Sequence, residues 1–331
     1  MKKLLIALIV SIFLISCEKD EFLFNRNTPV RFKISERLFT DRVVSCLDFG
    51  QEGTAWLGSG KELIGYKNGK ESIHNIGHTI LDISAGCDGK IWVATKENGL
   101  ACFNSNQVSF YTVENSGLPR NTILDVEAAP DGTVWFSSSA HQLGGLLHFD
   151  GQHFELYTPE NSILNQNLVL GLKVSENNNL FCFTVGTVGN AKIFHRDSRG
   201  NWQGIEESFY WIAFMDLTSR SEPVVLTDHS LSSCAGCYTD HVAIYKKGEW
   251  EIIDIEFLPN LLSPLMVDQR DYIWTYGMFP GGMRYICVHN GEEWIYSEGD
   301  PLGDAFVYRI AAGPDNNIWV CTNQGIFILN Q

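Results

Sequence analysis

The sequence predicts an all-β chain: a seven-bladed β-propeller of four-stranded antiparallel blades, closed by an N-terminal strand that completes the last blade. Three observations carry this prediction. One short pattern recurs at seven nearly even intervals, each copy holds four strand-like runs, and the C-terminal copy is one strand short. The organisation that follows is 1–16 as an export signal, 17–29 as a tether and 30–331 as the propeller.

The N-terminus comes first. Lys2 and Lys3 precede an apolar run from Leu4 to Ile15. About 12 residues at the helical rise cover only about 18 Å, too little for a hydrocarbon core of roughly 30 Å, so the run reads as a signal peptide and not a span. It ends in Leu14-Ile15-Ser16-Cys17, which resembles the bacterial lipobox and implies a lipid on Cys17. The cluster Glu18-Lys19-Asp20-Glu21 behind it looks like the surface-export signal of Bacteroidetes lipoproteins. The expected location is the cell envelope, as an outer-membrane lipoprotein with the surface leaflet slightly favoured, and the expected partners are the membrane, through this anchor, and an envelope protein or glycan. Without Lys2 and Lys3 the chain keeps 22 Lys and Arg against 39 Asp and Glu, a charge of −17, which repels nucleic acid and excludes it as a partner.

The repeats follow. Asp88-Gly89-Lys90-Ile91-Trp92, Asp131-Gly132-Thr133-Val134-Trp135 and Asp315-Asn316-Asn317-Ile318-Trp319 share a turn pair, a spacer, a β-branched residue and Trp. Gly53 to Trp56 and Asp271 to Trp274 fit with small departures, and spacing places degenerate copies at Phe181 and Val225. The anchors at 56, 92, 135, 181, 225, 274 and 319 lie 36 to 49 residues apart, close to the roughly 40–50 of a propeller blade. In the third copy Thr122–Ala129, Val134–Ser137, Gly145–Phe149 and Phe154–Thr158 read as strands A to D, with Asp-Gly pairs supplying the tight turns. The last copy has Val307–Ala312, Ile318–Thr322 and Gly325–Leu329 but no strand D. The alternating run Val30-Arg31-Phe32-Lys33-Ile34, just before a first strand A at Val43–Phe49, is expected to supply it and so cover an open edge.

The string Glu114-Asn115-Ser116-Gly117-Leu118-Pro119-Arg120-Asn121, followed by Asp131-Gly132 and Trp135, resembles the two-component regulator propeller repeat. Glu160 to Leu164 is a looser copy, and Ile318 to Ile326 resembles the core of the same repeat. The resemblance covers about 290 residues and implies the propeller of a periplasmic sensor region. No apolar span or kinase sequence follows Gln331, so the expectation is a stand-alone lipoprotein form.

Function is expected on the long loops of blades 3, 5 and 6, which share one face. The candidate ligand-binding residues are Tyr210, Trp211, His229, Tyr238, His241, Tyr276, Phe279 and Arg284. For Cys234 and Cys237 three readings stand, a disulfide stapling the loop, free thiols or half a zinc site, and an oxidising envelope favours the first. Cys46, Cys87, Cys102, Cys182, Cys287 and Cys321 are expected to be small buried hydrophobes. No nucleophile elbow, paired-His metal motif or phosphate loop is present, so no catalytic residue, metal or cofactor is assigned. The expectation is a non-catalytic binding or sensing propeller; the alternative is an enzyme of the streptogramin-lyase type using a loop His as general base.

Overall fold

The structure is a computed structural model that describes residues 33–138, 144–185, 191–209, 211–228, 240–253, 255, 264–278, 284–297 and 299–330. Among these residues, seven four-stranded antiparallel sheets form the blades of a ring. In the third blade the strands are Ile123–Ala128, Val134–Ser138, Gly145–Phe149 and Phe154–Tyr157, paired in sequence order. The ring closes through Lys33–Leu38, which pairs antiparallel with Gly325–Asn330 from Lys33 opposite Asn330 to Leu38 opposite Ile326. This corrects the closing strand expected at Val30–Ile34. A bulge between Ile34 and Glu36 interrupts the alternation that pointed to that stretch, and Val30 to Phe32 lie outside the described residues. The first strand A is likewise shorter than expected, Cys46–Phe49.

The core is a set of clusters between adjacent blades. Trp92 packs on blade 3 beside Ile123, Val126 and Phe136, Trp135 on blade 4 beside Leu172 and Leu180, and Trp319 on blade 1 beside Leu47 and Leu57. Each Trp completes its burial against the next blade, so a single blade would leave it exposed on one side.

Blade 5 requires a correction. Its strand B is Pro223–Asp228, and Asp216 stands opposite Val224 as Ser84 stands opposite Trp92. Val224, not Val225, therefore occupies the Trp position and packs with Leu265 and Ile273 of blade 6, whereas Val225 faces blade 4. A one-residue slip turns every side chain of a strand to the other face. The register is set by the A–B turn, where Ser221 at φ 61° takes the place of Gly89 at φ 79°.

The string that resembles the two-component repeat has a structural task. Thr112 caps the one-turn helix Val113–Ser116, Asn115 accepts from the Thr112 amide at 2.7 Å, and its amide group donates to the Phe110 carbonyl at 2.9 Å. Asn161 repeats this with the Thr158 amide and the Leu156 carbonyl, both at 2.8 Å. The motif shapes the loop between outer and inner strands. Cys46, Cys102, Cys182, Cys287 and Cys321 are buried, as expected, but Cys87 is exposed in the A–B turn of blade 2, its thiol donating to the Pro130 carbonyl at 3.3 Å.

Candidate functional site: the axial cavity

Strand A is the inner edge of every blade, so its outward-facing amides point along the ring without a sheet partner. The chain solves this with side chains. The Val126 amide donates to Asp82 at 3.2 Å and the Leu172 amide to Asp125 at 2.9 Å. Two residues further along the strand, the amides of Ala85, Ala128 and Val267 donate to Asp48 at 2.7 Å, Ser84 at 2.9 Å and Asp216 at 2.8 Å. Each bond ties one blade to the next, which is why short polar side chains stand in an inner strand flanked by Leu, Ile and Val.

Strand pairing places these residues in two rings. The one nearer the start of strand A contains Cys46, Asp82, Asp125, Phe214 and Arg309, with Gly171 in the bulge of blade 4. The deeper one contains Asp48, Ser84, Glu127, Lys173, Asp216 and Met266. Arg309 of blade 7 reaches past the small Cys46 of blade 1 to Asp82 of blade 2, Nη1 to Oδ1 at 2.6 Å. Burial, together with the nearby Asp82 charge, pushes Asp125 up to about 8. In the deeper ring Lys173 lies 3.8 Å from Asp216, and Glu127 is the main charge holding its ammonium above the ordinary lysine range. Burial raises Glu127 to about 7 and raises Asp48 as well.

Around these groups lies a cavity of about 560 Å³, a size typical of small-molecule sites, lined by strand A residues of all seven blades. Its walls differ. Arg309, Cys46, Asp82 and Asp125 make one side polar, and Phe183 and Phe214 make the side of blades 4 and 5 aromatic. Gly171 permits this: it has φ 58°, and a Cβ there would overlap the Phe183 ring. Leu81, Leu124, Leu170, Ala213 and Tyr308, at the start of their strands, form an apolar mouth on the face that carries the B–C loops. Tyr308 is exposed and stacks edge-on against exposed Phe306 at 5.0 Å.

The loop candidates fall differently. Trp211 opens strand A of blade 5 and is 39% exposed on the same face. Its neighbour Phe209 is buried between blades 4 and 5. His241 is half-buried on strand C of blade 5, opposite Thr227. Tyr276 is buried, 8% exposed, in the core between blades 6 and 7, and its hydroxyl donates to Asp300 at 3.4 Å and also meets Arg284. The structure thus brings together two candidates, Tyr276 and Arg284, and bonds the tyrosine to Asp300, which sequence reasoning left out. Tyr210, His229, Tyr238, Phe279, Cys234, Cys237 and Cys17 lie outside the described residues. Among the described residues no group of three His, Cys, Asp or Glu is arranged to hold a metal, and no histidine lines the axial cavity.

By architecture the chain is a seven-bladed β-propeller with a charged axis, and its likeness to known proteins is one of fold. No family profile matches it, and no curated protein matches its sequence. Among solved structures it is similar to the extracellular domain assigned to a one-component system of B. thetaiotaomicron, BT4673, at 16% identity and a TM-score of 0.65, covering 91% of this chain and 40% of that one. A second extracellular domain from that organism, assigned to the hybrid two-component system BT3049, gives 15% and 0.60 over 87% of this chain and 39% of its own. The chain thus spans about two fifths of either protein. An inactive virginiamycin B lyase of Staphylococcus aureus with quinupristin gives 13% and 0.67 over 91% and 99%. The propeller fold implied by the resemblance from Glu114 to Asn121 is thus shared with solved structures. No helix among the described residues is long and apolar enough to cross a membrane.

Proposed function

We propose that this chain is a non-catalytic binding or sensing propeller of the cell envelope, held by a lipid on Cys17, that receives its ligand through the apolar mouth of the axial cavity. The observation that supports this reading most is the concentration of charge on the axis. Besides the carboxylates that clamp backbone amides, the cavity carries Arg309 on blade 7, Lys173 on blade 4 and two phenylalanines on blades 4 and 5, and its mouth opens on the face of the B–C loops. The loops of blades 3, 5 and 6, with Trp211 at their base, would then surround the entrance and contact the larger part of a ligand or an envelope partner. The extracellular sensor domains of similar fold agree with such a role.

The test compares the two faces. Leu124→Glu at the mouth is expected to weaken binding of a ligand found by screening glycans and envelope proteins, and Glu52→Lys on the opposite face is expected to leave it intact. Equal binding by both variants would reject the mouth. Protease shaving of intact cells reads the leaflet: loss of the propeller supports surface display, and protection supports the periplasmic side.

A lyase reading draws on the fold shared with virginiamycin B lyase, and places a general base among the loop histidines. The axial acids Asp125 and Glu127, raised by burial to about 8 and about 7, also have pKa values suited to proton transfer. Turnover of a cyclic-lactone substrate that disappears in Asp125→Asn would favour this reading over simple binding.

A further inference from the structure

We infer that the axial cavity is a site for a primary amine with an apolar or aromatic tail, its ammonium bridging Asp82 and Asp125 and its tail lying against Phe214 and Phe183. This rests on the axial-cavity reading above and names the ligand class.

The blades present unequal charges to the axis. Blade 1 contributes Asp48, blade 2 Asp82, blade 3 Asp125 and Glu127, blade 4 Lys173, blade 5 Asp216 and blade 7 Arg309, while blade 6 presents the uncharged Met266 and Gln269. Five carboxylates thus face two cations. Both cations are already engaged, Arg309 with Asp82 and Lys173 with Asp216 and Glu127. Asp125 makes no ion pair among the described residues and acts on Arg309 and Lys173 only at longer range. It lines the cavity beside Asp82, whose charge acts on it, so a positive charge is wanted there. Metal ions prefer a shell of oxygen ligands, but the wall facing these acids is aromatic and Gly171 admits the Phe183 ring beside them. An ammonium fits this setting better: three donors satisfy two carboxylates, and the ring faces favour a cation and an attached apolar group. The Leu81, Leu124 and Leu170 mouth suits the passage of such a tail. The exchange balances: a protonated amine enters, the Asp125 proton leaves to solvent, and the ammonium takes its place beside the Asp125 carboxylate.

The probes are 2-phenylethylamine, 2-phenylethanol and phenylacetate, titrated calorimetrically into the mature chain in two buffers of different ionisation enthalpy. The amine is expected to bind, to release up to one proton near neutral pH, and to tighten by up to about tenfold per pH unit toward pH 8. Asp125→Asn should weaken it at least tenfold and abolish proton release. Phe214→Ala should weaken it without changing proton release, which separates lost packing from lost charge. Equal binding of the alcohol, weakened by Phe214→Ala, would overturn the amine while leaving the cavity as a site. Amine binding indifferent to both substitutions, or no binding of any probe, would overturn the inference.

Discussion

At the scale of single residues the axis sets the sharpest demands. Removing the Arg309 charge leaves Asp82, which is 5% exposed, without its partner. Breaking a buried pair from one side costs about 3–5 kcal/mol, so Arg309→Met should lower the urea midpoint strongly, and adding Asp82→Asn should restore part of the loss. Gly171→Ala meets both a left-handed backbone and the Phe183 ring. Strain and overpacking together predict a loss of at least about 2 kcal/mol in chemical denaturation. Asp125 predicts a pH dependence. Its folded pKa, about 8, stands above the usual aspartate value, so between about pH 4 and 8 the folded state binds more protons than the unfolded one. Stability must then fall as pH rises through that window, and Glu127 adds in the same direction. Thermal unfolding followed from pH 5 to 8.5 should show the decline, and Asp125→Asn, neutral at every pH, should flatten it. A slope unchanged in that variant would refute the raised pKa of Asp125.

At the scale of the element, strand B and the turns were legible and the inner strand was not. Trp92, Trp135, Trp274 and Trp319 announce strand B because a large ring after a β-branched residue and an Asp-Gly-like turn has few other readings. Blade 5 has Val224 and Val225 side by side in that place, two apolar β-branched residues that hydropathy cannot rank, and only the turn at Ser221 decides between them. Filling the cavity-free Val224 position is therefore expected to hurt. Val224→Trp should destabilise by about 1–3 kcal/mol, because Leu265 and Ile273 already pack there, and differential scanning calorimetry would register it. The axial site escaped sequence reasoning for another reason. Asp82 and Arg309 are separated by 227 positions, and their meeting depends on the bulges after Ile80 and Val307 that turn both side chains inward. A signal was nonetheless present. Aligning the strands A on their Asp-Gly turns stacks Asp82, Asp125 and Arg309 in one column and Asp48, Glu127, Lys173 and Asp216 in another, where an inner strand should be apolar. Loop length drew attention to blades 5 and 6 instead.

At the scale of the whole molecule, closure joins the two ends of the described chain. Removing residues 33–38 would leave Gly325–Asn330 as an uncovered edge and strip Leu38 from the cluster around Trp319 and Ile326. Such a chain should unfold at lower temperature with reduced cooperativity and self-associate, which size-exclusion chromatography can follow; a monomer as stable as the intact chain would show that blade 7 needs no fourth strand. The same seam governs timing. Ser35 bonds the Ile328 carbonyl across 293 positions, so the first strand made has no partner until nearly all of the chain has emerged. Six blades can stack while synthesis continues, but the ring stays an open arc with a sticky margin at either end. A chain cut short before Gly325 never acquires its seal and stays exposed to proteolysis. The join thus acts as a check on completeness, rewarding only a molecule that has arrived whole.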